Sequence, residues 1–283
     1  MTDATGADML VLKSHVKGHV RGGHYVGPYE RKDGPGAAPK HPNAAPHPRR
    51  DHKGDLVTVN EPSRPSAPST WEHPDAVATF VPHGHAPEQL HGVPLEPWHD
   101  APTTDDGWDY VDGVNDDLAE PPFVVTPGKV VGAGVIIEEP DGRVWVCAPT
   151  NGFGGYRATF PKGTAEHGLS LQANACKEAF EETGLKVRIT GFIGDFERTT
   201  SKARMYRAVR VGGTPTAMGW ESQAVHLIPK DRLYDHLNGW ADHPVAEAIG
   251  AGPAPEPPPK PKQPPIWGQK KWGGPSGGTG SLF

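Results

Sequence analysis

Hydrophobic positions along the chain are dense and periodic only between residues 129 and 251. Lys129–Ile137 (KVVGAGVII) and Arg143–Ala148 (RVWVCA) are β-rich runs separated by the turn signal Pro140-Asp141-Gly142, which predicts a hairpin. A Gly-rich loop, Asn151–Tyr156, leads to Ala158-Thr159-Phe160-Pro161-Lys162-Gly163. In 170–183 the apolar residues Leu171, Ala175, Ala179 and Phe180 fall near helical period, with Ser170 as a start signal and Gly184 as a stop. Strands are then predicted at Lys186–Ile193, Met205–Val211 and Ala224–Ile228, a helix at Lys230–Leu237 and a short one at 244–249. A hairpin, a helix, further strands and a closing helix make a mixed α/β (α+β) sandwich the expected architecture.

The flanks break this pattern. With 33 prolines and 36 glycines among 283 residues, one large core is excluded, and long disordered N- and C-terminal segments are expected. Residues 1–75 are expected to form a disordered basic arm rich in Pro, Gly and His. Its one local signal is Val16–Arg31, where aliphatic or aromatic positions alternate with basic ones around Gly22-Gly23, as in a small hairpin. Residues 76–127 read as an acidic extension that packs on the core through Trp98, Trp108 and Tyr110. The compact domain covers 128–251, and 252–283 is a Pro/Gly-rich linker or tail that carries Trp267 and Trp272.

The net charge of −6 conceals a segregation into blocks. Lys13 to Lys53 holds nine Lys/Arg against three acids, whereas Glu72 to Glu120 holds twelve acids and no Lys or Arg. The arm is therefore either a flexible basic segment or a contact for nucleic acid or protein. Its five histidines between 15 and 47 have no metal-site spacing. Cys147 and Cys176 are too few for a disulfide framework and read as small buried apolar side chains. No apolar run reaches membrane-span length and no signal-peptide core is present, so a cytoplasmic protein without membrane contact is expected.

The chemistry lies in the 170–183 helix. Glu178, Glu181 and Glu182 stand at i, i+3 and i+4, three carboxylates on one face. Like charges so placed repel unless a cation lies over them, and a hard divalent ion prefers oxygen ligands shared with substrate phosphates. A solvated acidic helix edge is the plain alternative for this spacing alone. The surrounding residues argue against it. Gly163 to Leu185 resembles the Nudix box, G-x5-E-x7-R-E-U-x-E-E-x-G-U, at seven of nine defined positions, with Ala179 in the apolar place. Phe160-Pro161-Lys162-Gly163 is similar to the usual entry to that box, and the resemblance spans roughly 128–250.

That resemblance implies a Nudix-type fold, a mixed β-sheet sandwiched between helices, and metal-dependent hydrolysis of a nucleoside diphosphate linked to another moiety. Mg²⁺ or Mn²⁺ is the implied cofactor and a nucleotide-type small molecule the implied partner. Carried over by position, Glu181 and Glu182 match metal ligands, and Glu178 a ligand or base. Lys177 stands where an arginine orients the carboxylates, and Gly163 lies in the loop over the metal. Beyond the box, Glu221 is the candidate general base, with a surface acid as its alternative. Two positions depart from the pattern: Leu169 replaces a glutamate and Lys177 an arginine, with Glu166 as a substitute acid in the same loop. For the substrate, Lys162 and Gly163 are candidates at the loop. Arg198 and Arg204, with Lys202 and Arg207, form either a phosphate-binding cluster or a solvated strand edge. Phe153 and Tyr156 either stack on a base or pack.

Two other functions compete. The departures at 169 and 177 would suit a non-catalytic Nudix-fold module that binds a nucleotide or partner. The basic arm and the tryptophan-bearing tail would suit a structural protein of a phage or mobile element.

Overall fold

The computed structural model of the protein describes residues 44–59 and 64–256 and, upstream of them, four short strands. Those strands form nested antiparallel pairs, β1 (Lys13–Val16) with β4 (Tyr29–Lys32) and β2 (His19–Arg21) with β3 (His24–Val26). The tryptophans of the C-terminal tail lie outside the described residues. No helix among the described residues is long and apolar enough to cross a membrane.

Order begins earlier than the composition suggests. Residues 44–75, expected to lack structure, include the antiparallel pair β5 (Ala45–Arg50) and β6 (Leu56–Val59) and a 3-10 turn, Pro68–Glu72. Trp71 on that turn is fully buried against Trp145, ring centroids 5.8 Å apart. One large aromatic of this kind contributes on the order of 2–3 kcal/mol by burial, enough to anchor an otherwise polar segment. The chain continues through β7 (Ala78–Phe80), the small hairpin β8 (Gln89–Leu90) and β9 (Val93–Pro94), and the single turn α1 (Asp105–Trp108).

The central sheet is mixed. Its strands are β10 (Val130–Glu138), β11 (Arg143–Pro149), β12 (Lys162–Thr164), β13 (Leu185–Glu197), β14 (Ser201–Gly213) and β15 (Ser222–Pro229), joined at one edge by β7. The order is β13-β14-β10-β11-β15-β7, with β12 paired to the start of β10. Only β10 and β14 run parallel; the remaining pairs are antiparallel.

Alternation along the strands loads both faces. Ala133, Val135 and Ile137 join Val187, Ile189, Tyr206, Val225 and Leu227 on one face, under helix α2 (Leu171–Thr183) and the extension's Trp71, Leu90, Leu95 and Trp108. Ile136, Val144, Val146, Met205 and Ile228 face the other way, under α3 (Leu233–His236) and α4 (His243–Ala248). Helix α2 is capped as its sequence implies: Ser170 Oγ accepts from Ala173 N at 3.1 Å, and Gly184 ends it at φ 74°.

Two buried arginines fasten the extension to the sheet through backbone carbonyls. Arg143 donates to the carbonyls of Thr70, Trp71 and Ala76 while its Nε pairs with Asp141 at 2.7 Å. Arg210 donates to the carbonyls of Leu90, Val93 and Pro94, and its Nε pairs with Glu139 at 2.6 Å. The β8–β9 turn is His91-Gly92, both with positive φ (51° and 78°), as a two-residue primed turn requires. His91 holds that rare backbone conformation while its ring bridges Glu139 at 2.9 Å and Asp141 at 3.1 Å.

The edge strand carries a pH consequence. His226 on β15 is buried, with Nδ1 2.9 Å from Thr79 Oγ1 on β7, and burial, aided by His236, pushes its pKa down from 6.5 to about 4. Below about 6.5 the unfolded chain takes up a proton that the folded chain refuses. The part of the stability linked to His226 is therefore complete above about 6.5 and falls as pH drops toward 4, by up to roughly 3 kcal/mol. His47 and His236, also held below their ordinary values by burial, add to the same slope. Relative to His226→Gln, whose side chain does not titrate, the wild-type urea midpoint is expected to fall as pH goes from 7 to 4.

Candidate active site

Helix α2 sets its carboxylate edge against the loop that enters it. The fit is closest at Gly163, where a Cβ would overlap the Glu178 carboxylate. Glu182 Oε2 accepts from Lys162 N at 2.8 Å and lies 3.4 Å from Cys147 Sγ. Glu221 lies on the turn before β15, and its charge acts on Glu178, Glu181 and Glu182. That turn is fixed by Thr150, whose N donates to Glu221 O at 2.6 Å and whose Oγ1 donates to Trp220 O at 2.7 Å.

Electrostatics show how closely these groups are gathered. Burial, followed by the charges of Glu182, Glu181 and Glu221, pushes Glu178 up to about 9. Glu182 is pushed up to about 7, again mainly by burial, with the Lys162 charge and backbone N–H opposing. Glu181 is raised by burial and then by Glu166, Glu221 and Asp105, against the pull of Lys177. Four carboxylates thus share one region with too little positive charge, a state that a cation would relieve.

The donor set suits a hard divalent ion, all oxygen and all acidic. Among the described residues no three Asp, Glu, His or Cys side chains form a ready-made metal cage. Magnesium tolerates that arrangement, because it keeps several waters and is held by one or two carboxylates together with substrate phosphates.

Lys177 turns to the side of this group. Its Nζ donates to Glu166 Oε1 at 2.5 Å and to Asp105 Oδ1 at 2.9 Å. Leu169, where the box pattern has a glutamate, packs instead on the apolar cluster that holds Phe180, Trp98 and Trp108. Lys177 thus pairs with Glu166, three residues before Leu169, and with Asp105 of α1.

The cationic residues of the β13–β14 turn and of β14 are paired with acids and carbonyls. Arg204 is buried, with Nε and Nη2 on Asp195 at 2.7 and 2.9 Å and Nη1 on Glu120 at 2.7 Å. All three of its nitrogens are committed, so it ties the extension to the sheet. Arg198 is similarly occupied, donating to Asp242 Oδ1 at 2.8 Å and to the Tyr156 hydroxyl at 3.1 Å. Arg207 pairs with Glu138, and Lys202 donates to the Val124 carbonyl. A strand spacing of two places cations on one face, but only the fold brings the acids that neutralise them.

Around the carboxylates, Lys162 Nζ lies 5.2 Å over the Tyr156 ring and donates to Thr159 Oγ1 at 2.5 Å. Thr159 Oγ1 in turn donates to Asp242 at 2.8 Å. Tyr156 is therefore packed, whereas Phe153, at 83% exposure, stands in solvent on the Gly-rich loop. Both cysteines are buried free thiols, and burial raises the pKa of each. Sequence reasoning missed Asp105, one of twelve acids in its block, and the Thr159–Asp242 pair, because no local pattern links residues 72 or 83 positions apart.

A family model, the NUDIX domain, matches residues 128–247. This part of the chain belongs to the Nudix family. Similar solved structures include a NUDIX hydrolase from Nitrosomonas europaea, 22% identical over 46% of this chain and 77% of that one, with a TM-score of 0.38. An ADP-ribose pyrophosphatase from Streptococcus suis is 17% identical over 43% of this chain and 87% of that one, TM-score 0.36. A MutT protein from Methanosarcina mazei is 14% identical over 43% and 90%, TM-score 0.34. No curated protein matches. Within the Nudix domain, Gly163→Ala is expected to displace Glu178 and cut activity about 10–100-fold. Unchanged kinetics in that variant would show that the contact is unimportant.

Proposed function

We propose that the Nudix domain hydrolyses the pyrophosphate bond of a nucleoside diphosphate linked to another moiety, with Mg²⁺ or Mn²⁺ as cofactor. The observation that carries this reading is the gathering of Glu178, Glu181 and Glu182, with Glu178 against Gly163 and the charge of Glu221 nearby; burial first, and then neighbouring carboxylates, raise the pKa of these three helix glutamates. Glu178, Glu181 and Glu182 would hold the metal. When bound, a divalent ion neutralises pyrophosphate oxygens and makes water a better nucleophile at neutral pH.

The chain's own groups divide the remaining work. The Lys162 backbone N–H fixes one oxygen of Glu182, which leaves its other oxygen for the site. The Lys162 ammonium, backed by Thr159 and Tyr156, supplies the local positive charge that a phosphate approaching four carboxylates needs. Glu221, placed from outside the helix, is assigned to take the proton from the attacking water. Phe153, exposed on the Gly-rich loop, is the ring free to cover a base.

Purified full-length protein with Mg²⁺ or Mn²⁺ is expected to release a nucleoside monophosphate from a dinucleotide polyphosphate, a nucleotide sugar or ADP-ribose. Absence of turnover on all three classes would overturn the reading.

A further inference from the structure

Of the two departures from the Nudix box, Lys177 meets the N-terminal extension directly, and Leu169 packs on the core face that the extension also covers. Leu169 packs into the cluster that holds Trp98 and Trp108. Lys177 pairs with Asp105 at the start of α1, and Ser170 N donates to Asp109 Oδ1 at 3.2 Å just after it. The extension is thus docked on the box at Lys177, where the box differs from its pattern.

Lys177 stands four residues before Glu181 on α2, so the two side chains are neighbours on the helix surface. A lysine there has a flexible four-carbon stem and a compact charge. Left without partners, its ammonium would settle on the Glu181 carboxylate and compete with a cation for it. In the structure it is drawn the other way, by Glu166 Oε1 at 2.5 Å and Asp105 Oδ1 at 2.9 Å.

We propose that Asp105 and Glu166 together hold the Lys177 ammonium off Glu181 and so keep that carboxylate free for a divalent cation. Asp105 is then a positioning residue contributed by the extension, acting through Lys177. The inference rests on the metal-dependent reading of the site. It adds that the segment before the Nudix domain is part of the apparatus.

The test uses full-length protein and Mn²⁺ alone, with binding followed by electron paramagnetic resonance of the free ion. Working in about 0.3 M KCl screens charges beyond roughly 6 Å, so a general loss of negative field is not mistaken for the contact. Asp105 and Glu166 are both partly exposed, so their replacement should leave the fold intact, which a thermal melt checks. The pair Asp105→Asn and Glu166→Gln is expected to weaken Mn²⁺ binding about tenfold. Asp105→Glu should keep it. Adding Lys177→Met to the weakened pair should restore affinity to within about twofold, because the competing ammonium is gone; a merely structural loss would not be rescued. Unchanged Mn²⁺ affinity in the pair, or no recovery with Lys177→Met, would overturn the proposal. Failure of the wild-type protein to bind Mn²⁺ would be a different result, one that removes the metal-dependent function itself.

Discussion

Replacing Glu182 by Gln is expected to lower turnover roughly 10²–10³-fold while making the metal-free protein more stable. The two effects have one cause. Glu182 lies under Lys162 N and beside Glu178 and Glu221, and its folded pKa of about 7 shows that the folded chain holds its charge unfavourably. A neutral amide of the same shape removes that repulsion. At pH 8 the gain is expected to be on the order of 1–3 kcal/mol, read from the urea midpoint. The same change removes a proposed metal ligand, and a ligand that helps neutralise a transition state contributes several kcal/mol to its stabilisation. Mg²⁺ should therefore raise the melting temperature of the wild type, as a ligand of the native state must, and leave that of Glu182→Gln nearly unmoved. A variant that is less stable than wild type without metal, or that keeps full turnover, would refute this account.

Arg210→Ala is expected to destabilise the protein by about 3–5 kcal/mol. Arg210 is buried beside Glu139, and its remaining donors satisfy the carbonyls of Leu90, Val93 and Pro94. Truncation leaves a buried carboxylate with only His91 and Trp145 as partners, and three carbonyls with one donor fewer. For an ordered region of this size the loss corresponds to a fall of about 10 °C in Tm. Hydrogen exchange should rise first in residues 89–95, because that hairpin is held by the lost contacts. Removing the charge on both sides, Arg210→Met with Glu139→Gln, should cost less than Arg210→Ala alone, since no unpaired ion is then buried. Equal losses in the two variants would argue that packing of the Arg stem, and not the ion pair, fastens the hairpin.

Legibility of these features followed sequence distance. Helix α2 could be read from its own residues, because Ser170, the apolar stripe and Gly184 act within a few turns of one another. The strands of the core were read to within a few residues of their ends, since each carries its own alternation or apolar run. Strands β7 and β12, three residues each, were not read: Ala78–Phe80 and Lys162–Thr164 acquire strand character only from the strands they pair with. The arginines were the hardest to assign. Arg198 and Arg204 present the same local pattern whether they meet a phosphate or an aspartate, and their partners Asp242, Asp195 and Glu120 lie 44, 9 and 84 positions away.

The sequence by itself determined the carboxylate edge of α2, since Glu178, Glu181 and Glu182 share a face in any helix, and it marked 169 and 177 as the places where the Nudix pattern is broken. Only the tertiary structure decided what those two positions do. The acidic block from 72 to 120 has the charge to pair with many cations, and which of its members meets Lys177 depends on how Trp98 and Trp108 seat the chain against Phe180. Helix geometry is set by neighbours within four residues. An ion pair across 72 residues is set by packing that no local pattern encodes.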